Sequence, residues 1–394
     1  METKISCDRA HREYDICLIN GPTLLDPAAS TLFAVGPTQP KYFVEKIRPH
    51  PRKWQPQVMS QTKEVTLRAG PAAPKTCDVV HNATAIVFSA GGYIGHFFHD
   101  FNDGLIPLFI TTVQTMSLSN QDVVLVIGKL EDSWVSKYGD LLGEVSKHPI
   151  VNLDKDTNTH CFNSAVVGLV YHGFLTINPK LMPGPTTLVH FHNLLDKVYG
   201  QARQLIHHPH ARPKMVLLVR KGHVGRVLLN QDHVRAMAED VGFDTTVFEP
   251  KVDIPVAESY GLLSRSHVVV GVHGAAMTHL LFLRPGTVLI QVVPIGLDLM
   301  SEICYGKPAK EMGLEYVEYK IGVEESSLID KYERGNPIFK ESLKLQKKSW
   351  GFVKVIYMKQ QNVTLDLNRF RGYLETAYRK AKILMDKQGS SRLY

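Results

Sequence analysis

The sequence predicts an α/β chain of two doubly wound, Rossmann-like domains facing a cleft, with a C-terminal helix crossing back to the first. Three observations predict it. First, His267 to Val272 is a β-branched run of the kind buried on both faces of a parallel sheet. It breaks at Gly271-Val272-His273-Gly274, an Ala/Met/Leu-rich helical segment follows to about Leu283, and Pro285-Gly286 stops it before a second buried strand, Val288 to Val293. Second, the same alternation of strand and helix begins much earlier, at Ala85. Third, 394 residues are too many for one ordinary domain, and a Pro- and His-rich stretch, 207–213, separates the two halves.

The elements follow in order. Residues 1–75, rich in Pro, Lys and turn residues, read as irregular strands packed on a larger body. The first domain, 76–206, opens with a strand at Ala85 to Ser89 and a helical segment from about His96 to Thr115. Asp122 to Ile127 is a buried strand, a helix lies near Ser133 to Leu142, and shorter strands fall near Ile150 and Ala165 to Tyr171. Thr187 to Ile206 has helical periodicity. After the linker, the second domain (214–364) runs strand Lys214 to Arg220, helix Gln231 to Val241, strand Thr245 to Phe248 and helix Ile254 to Leu263. The tail, 365–394, is a helix with Leu367, Phe370, Leu374 and Tyr378 on one face. By fold-level analogy this is the architecture of GT-B glycosyltransferases.

A formal net charge of +7 favours anionic partners such as a nucleotide diphosphate. The basic residues are scattered, and the short cluster Lys344, Lys347 and Lys348 reads as solvated surface, so no nucleic-acid partner is expected. No segment approaches the roughly 20 apolar residues that span a bilayer, and Met1 is not followed by a signal-peptide pattern. Alone, that reads as cytosolic. Two sequons, at Asn82 and Asn362, point instead to a glycosylating compartment. Cys7 and Cys17 flank a polar loop and can close a disulfide in an oxidising compartment, Cys77 can pair elsewhere, and Cys161 and Cys304 read as small buried hydrophobes.

Three segments carry chemistry. In Ala90 to Phe109 glycines turn the chain after a strand, and His96, His99, Asp100, Asn102 and Asp103 follow among Phe97, Phe98 and Phe101. His and Asp among aromatics are unfavourable unless paired, so His99 with Asp100 or Asp103 forms a candidate base–orienter pair; a polar helix start is the plainer reading. Arg220 to Arg226, at a strand's carboxyl end, suits a diphosphate, which Arg grips bidentately, or is simply a charged loop. The third is the turn bearing His273, Gly274 and Ala275, where a helix N-terminus offers N–H groups to an anion. Rival motifs are weaker. Asp154-Lys155-Asp156 sits in a polar turn, GVHGAA is not a GxGxxG dinucleotide fingerprint, and the histidines of 207–213 have no carboxylate or Cys at ligand spacing, so no metal site is expected.

The segments 91–111, 216–230 and 269–294, in this order and supported by 308–321 and 361–370, resemble the plant members of glycosyltransferase family 61, the xylan xylosyl- and arabinosyltransferase clade. The resemblance covers essentially the whole chain. It implies a GT-B fold, Golgi-luminal residence and inverting transfer from a UDP-sugar with no essential metal or other cofactor. Family members carry an N-terminal membrane anchor, which is not read in this chain. Ala276, Met277 and His279 stand where the commoner GAGLTN version has Gly, Leu and Asn.

The function expected is inverting transfer of xylose or arabinofuranose from a UDP-pentose to a cell-wall polysaccharide, xylan above all. His99 or Asp100, with Asp103 beside them, would supply the base. Arg220 and Arg226 would meet the leaving diphosphate, and His273, Gly274 and Ala275 would hold the donor. Two alternatives stand beside it: a glycoprotein glycan transferase of the same family, and a non-catalytic carbohydrate-binding subunit of a biosynthetic complex.

Overall fold

The computed structural model describes residues 3–39, 41–70, 76–119, 122–200 and 212–390. The chain divides into two compact units, Met1–Leu194 and Leu195–Tyr394. Their boundary falls inside the Leu188–Tyr199 helix. Most of the expected linker, 207–213, lies outside the described residues.

Among the described residues the first unit carries thirteen short strands. They are β1 (Thr3–Asp8), β2 (Ile16–Asn20), β3 (Thr23–Asp26), β4 (Thr31–Ala34), β5 (Thr38–Gln39), β6 (Phe43–Ile47) and β7 (Val65–Ala69). After them come β8 (Val79–Val80), β9 (Thr84–Ser89), β10 (Val123–Gly128), β11 (Val151–Asn152), β12 (His160–Phe162) and β13 (Ser164–Val167). One sheet has the order β11-β10-β9-β13-β2-β1-β5, and the second β6-β7-β4-β3-β12-β8. In the first sheet β11, β10, β9 and β13 run parallel, as the βαβ pattern requires, and β2 joins β13 antiparallel.

Two expectations are corrected here. The N-terminal residues are not irregular strands laid on a finished body, because β1 to β7 supply members of both sheets. Nor is the first unit doubly wound. Ala85 and Val87 of β9 and Val124 and Val126 of β10 share a core with Leu25, Leu32, Val65 and Leu67 of the second sheet. A sheet therefore covers the face where a doubly wound fold would place helices.

The second unit is the doubly wound one. Its strands β14 (Lys214–Leu218), β15 (Asp244–Phe248), β16 (Val268–Val272), β17 (Val288–Val293) and β18 (Glu315–Lys320) are all parallel, in the order β15-β14-β16-β17-β18. That is the 2-1-3-4-5 arrangement, whose direction of winding reverses between β14 and β16. The segment after β16 is a 3₁₀ helix, Ala275–Phe282. Met277 to Phe282 are all buried, so the run has no polar face from which a 3.6- or 3.0-residue period can be told.

The terminal helix spans Leu367–Ser390. Phe370, Leu374, Ala377 and Ala381 are buried with Val268, Val288 and Ile290 of this unit's own sheet, so its apolar stripe completes the second core.

Candidate active site

In the first unit β9 ends at Ser89 and the chain turns through Gly91 (φ +92°) and Gly95 (φ +83°). A Cβ on Gly91 would come 2.0 Å from Cε1 of the buried His50, so no other residue fits. The backbone then enters Phe97–His99 and a π-helical turn, Asp100–Leu105, before the long helix Ile106–Ser119. Such π turns are uncommon and concentrate at functional sites.

The turn brings His99 and Asp103 together, with Nδ1 to Oδ2 at 2.8 Å. Arg52 holds the other carboxylate oxygen, through Nε at 2.9 Å and Nη2 at 2.7 Å. Asn102 donates to the same Oδ1 from Nδ2 and accepts the Leu175 N–H at its own carbonyl. Burial alone would raise the Asp103 carboxyl, but hydrogen bonds from His99 and Arg52 and the guanidinium charge hold it well below the carboxylate range. An ionised Asp103 only accepts, so the neutral form of the imidazole has its proton on Nδ1 and a lone pair at Nε2. Asp103 is 3% exposed and the His99 side chain 18%, so the imidazole is the member that meets solvent.

Asp100 stands apart from this pair. Its Oδ1 accepts from the Gly95 N–H at 2.9 Å and from Trp134 Nε1 at 3.1 Å, and its Oδ2 accepts from the Tyr138 hydroxyl at 2.9 Å. Burial raises its carboxyl, with those bonds opposing. It ties the glycine turn to the Asp132–Val145 helix. Between the two aspartates left open by the sequence, the geometry pairs His99 with Asp103.

The second unit gathers its residues at the winding reversal. Arg220 follows β14, and His273 and Gly274 follow β16. Gly274 has φ +148°, and a Cβ there would lie 2.1 Å from Nη2 of Arg220 and 2.9 Å from Nη1 of Arg226. Both guanidinia therefore rest on one glycine. Arg226, itself at φ +57°, is anchored by Nε donating to the Met358 carbonyl at 3.0 Å and Nη1 donating to the His273 carbonyl at 3.2 Å.

Among the described residues neither arginine has a carboxylate in ion-pair contact, although both are partly buried. Desolvation lowers Arg220, and desolvation with the charge of Arg220 lowers Arg226 to about 10. His273 is buried, held at Nδ1 by Gln291 and Ser301, each at 3.0 Å. Desolvation and the two arginines press it well below the ordinary imidazole value, so it is neutral. Two partly buried cations with no carboxylate in ion-pair contact among the described residues stand at the carboxyl ends of parallel strands, an arrangement whose chemistry suits a dianion such as a diphosphate. Ala275 opens the 3₁₀ helix that Gly274 caps.

The remaining predicted positions distribute as follows. Asp154 and Asp156 are engaged separately, Asp154 by Lys63 and the Lys129 N–H, Asp156 by His160. Among the described residues no group of three or more His, Cys, Asp or Glu is placed to hold a metal, and the histidines at 207, 208 and 210 lie outside them. Asn82 is exposed, whereas Asn362 is half-buried with its side-chain carbonyl accepting from Val227. Cys7 and Cys17 form a disulfide across β1 and β2. Cys161, expected as a buried thiol, is instead disulfide-bonded to Cys77, because β12 runs beside β8 and brings them together; Cys304 is a buried free thiol. No helix among the described residues is long and apolar enough to cross a membrane.

Sequence reasoning missed Arg52, Gln291, Ser301 and Tyr305, whose ring lies 5.3 Å from that of His273. A buried Asp103 signals that some cation must face it, but nothing across a separation of 51 residues says which.

Residues 94–290 match the family model for glycosyltransferase 61. A xylan glycosyltransferase of Arabidopsis thaliana is 40% identical over 96% of this chain and 80% of its own length. An alpha-1,3-arabinosyltransferase of Oryza sativa subsp. japonica is 35% identical over 94% of this chain and 64% of its own. A beta-1,2-xylosyltransferase of the same plant is 34% identical over 95% of this chain and 83% of its own.

Proposed function

The chain belongs to glycosyltransferase family 61, and from that premise we propose that it moves a pentose, xylose or arabinofuranose, from a UDP-sugar onto xylan, with inversion. The observation that carries the reading is the pair Arg220 and Arg226, partly buried over Gly274 with no carboxylate in ion-pair contact among the described residues. A nucleoside diphosphate supplies the missing negative charge.

In this reading His99 Nε2 removes the proton of the acceptor hydroxyl as its oxygen attacks the anomeric carbon from the face opposite the diphosphate. The bond from that carbon to the diphosphate oxygen breaks, and UDP departs with the electron pair. Asp103 fixes the imidazole tautomer and stabilises the imidazolium that forms. Arg220 and Arg226 meet the charge growing on the leaving diphosphate, where preorganised donors have most effect. Neutral His273 adds no further positive charge beside them. The two guanidinia do the neutralising that a cation otherwise does, so transfer is expected to need no metal.

The reading takes the arrangement to be GT-B, with the donor on the second unit and the acceptor on the first. It places the enzyme in the Golgi lumen, which the disulfides Cys7–Cys17 and Cys77–Cys161 support, since such bonds persist in oxidising compartments. The test is transfer from UDP-xylose, UDP-arabinofuranose and UDP-N-acetylglucosamine to xylo-oligosaccharides and N-glycans, each with and without EDTA. Pentose transfer to xylo-oligosaccharide that survives EDTA is expected. Transfer to N-glycans alone overturns the acceptor, and loss in EDTA overturns the role given to the arginines.

A further inference from the structure

The histidine–aspartate pair of the first unit lies in a bowl of aromatic rings that its own chemistry does not require. Tyr93 stacks on the His99 imidazole at 4.1 Å between centroids and 20° between planes, yet remains 40% exposed. Phe98 meets the same imidazole edge-on at 5.3 Å. On the Arg52 side, Trp54 and Phe174 bracket the guanidinium, with its carbon 5.1 and 5.6 Å from their ring centroids. Both rings are only partly buried. Arg52 Nη2 is 3.1 Å from His99 Nδ1, so the Trp54 and Phe174 rings adjoin the imidazole through one guanidinium.

A ring that served only to pack Arg52 against Asp103 would be buried with them, as Tyr171 is. Partly exposed aromatics beside a base instead suit a neutral ligand with an apolar face and a polar edge. Pyranose rings have that form, with axial C–H bonds on their faces and hydroxyls around the rim. An uncharged saccharide offers the basic groups no charge to pair with, so flat apolar contact must supply most of the hold.

We propose that Trp54, Tyr93 and Phe174 form the acceptor subsite, in which a pyranose ring of a neutral β-linked saccharide stacks so that one hydroxyl reaches His99 Nε2. The inference rests on the functional reading above and adds to it the residues that select and hold the acceptor. Tyr93 keeps its place on the imidazole while its exposed part stays open to the sugar. Trp54 and Phe174 extend the apolar floor over Arg52.

The experiment is calorimetric titration of the intact chain with xylohexaose, comparing wild type with Trp54→Ala, Tyr93→Ala and Tyr93→Phe, each checked for an unchanged circular dichroism spectrum. Tyr93→Phe should bind as wild type. The two alanine variants should lose affinity by about tenfold or more, the equivalent of roughly 1.4 kcal/mol each. Wild-type affinity in both alanine variants overturns the subsite and leaves the xylan reading standing. If the wild-type chain does not bind xylohexaose, both fall together.

Discussion

Gly274 lies directly beneath the guanidinium of Arg220, close enough that a single added methyl group would come 2.1 Å from Nη2. The glycine and the arginine are therefore one device. The backbone at φ +148° is open to glycine but strained for an L side chain by about 1–3 kcal/mol, and the guanidinium occupies the space a side chain would need. In Gly274→Ala both arginines must move off the strand ends. We expect UDP affinity, measured by calorimetry, to fall by about tenfold or more while the parallel sheet persists. Unchanged affinity would show that the arginines do not hold the diphosphate from their present positions.

The same two arginines should respond differently to neutralisation. Arg220 is a partly buried cation with no carboxylate in ion-pair contact among the described residues, so its charge destabilises the ligand-free protein. Arg220→Gln should raise the ligand-free melting temperature by about 2–4 °C, the shift that roughly 1 kcal/mol gives a protein of 150–250 residues. It should also abolish the stabilisation that UDP gives the parent, about 2.7 kcal/mol at one hundred times Kd. Arg226→Gln should lose the UDP effect without that gain, because Nε and Nη1 hold the Met358 and His273 carbonyls. Scanning calorimetry with and without UDP separates the two.

The second unit was largely legible in the sequence for a physical reason. Parallel strands buried on both faces write themselves as unbroken runs such as Val268–Val270, and their glycine turns stand out against them. The first unit hid half its structure because its second sheet is built from strands of two to five residues that pair over long separations, β3 with β12 for example. A two-residue strand such as β8 has no period to detect, and with it went the Cys77–Cys161 pairing. At the sites, the sequence marked the chemical groups but not who touches whom. Asp100 and Asp103 are equally polar and equally embedded among phenylalanines, and only the π turn sends one toward Trp134 and the other toward His99.

Arg52 and Asp103 are both almost fully buried, at 4% and 3% side-chain exposure, and each is the other's counter-ion. Asp103→Asn strands the guanidinium and should lower stability by about 3–5 kcal/mol. The pair Arg52→Met with Asp103→Asn removes both charges and should recover most of that loss without restoring transfer. The sign of the pH dependence follows from the lowered carboxyl. Its contribution is fully present above the unfolded value of about 3.9 and is lost as pH falls through the folded one. Acid unfolding below about pH 4 should therefore be less steep in the double variant than in the parent.

Asp100 gives the sharpest separation between fold and chemistry. Its carboxylate accepts from Gly95, Trp134 and Tyr138 and faces neither His99 nor Arg52 in any hydrogen bond. An asparagine keeps this arrangement, with its carbonyl accepting from Gly95 and Trp134 and its amide donating to the Tyr138 oxygen. Asp100→Asn should therefore retain kcat within about a factor of five, a difference worth roughly 1 kcal/mol. Asp100→Ala removes the carboxylate that accepts from Gly95, Trp134 and Tyr138 and should lose about 3 kcal/mol of stability. His99→Ala should do the reverse, abolishing transfer with little effect on melting. A dead Asp100→Asn that melts normally would move the base from His99 to Asp100.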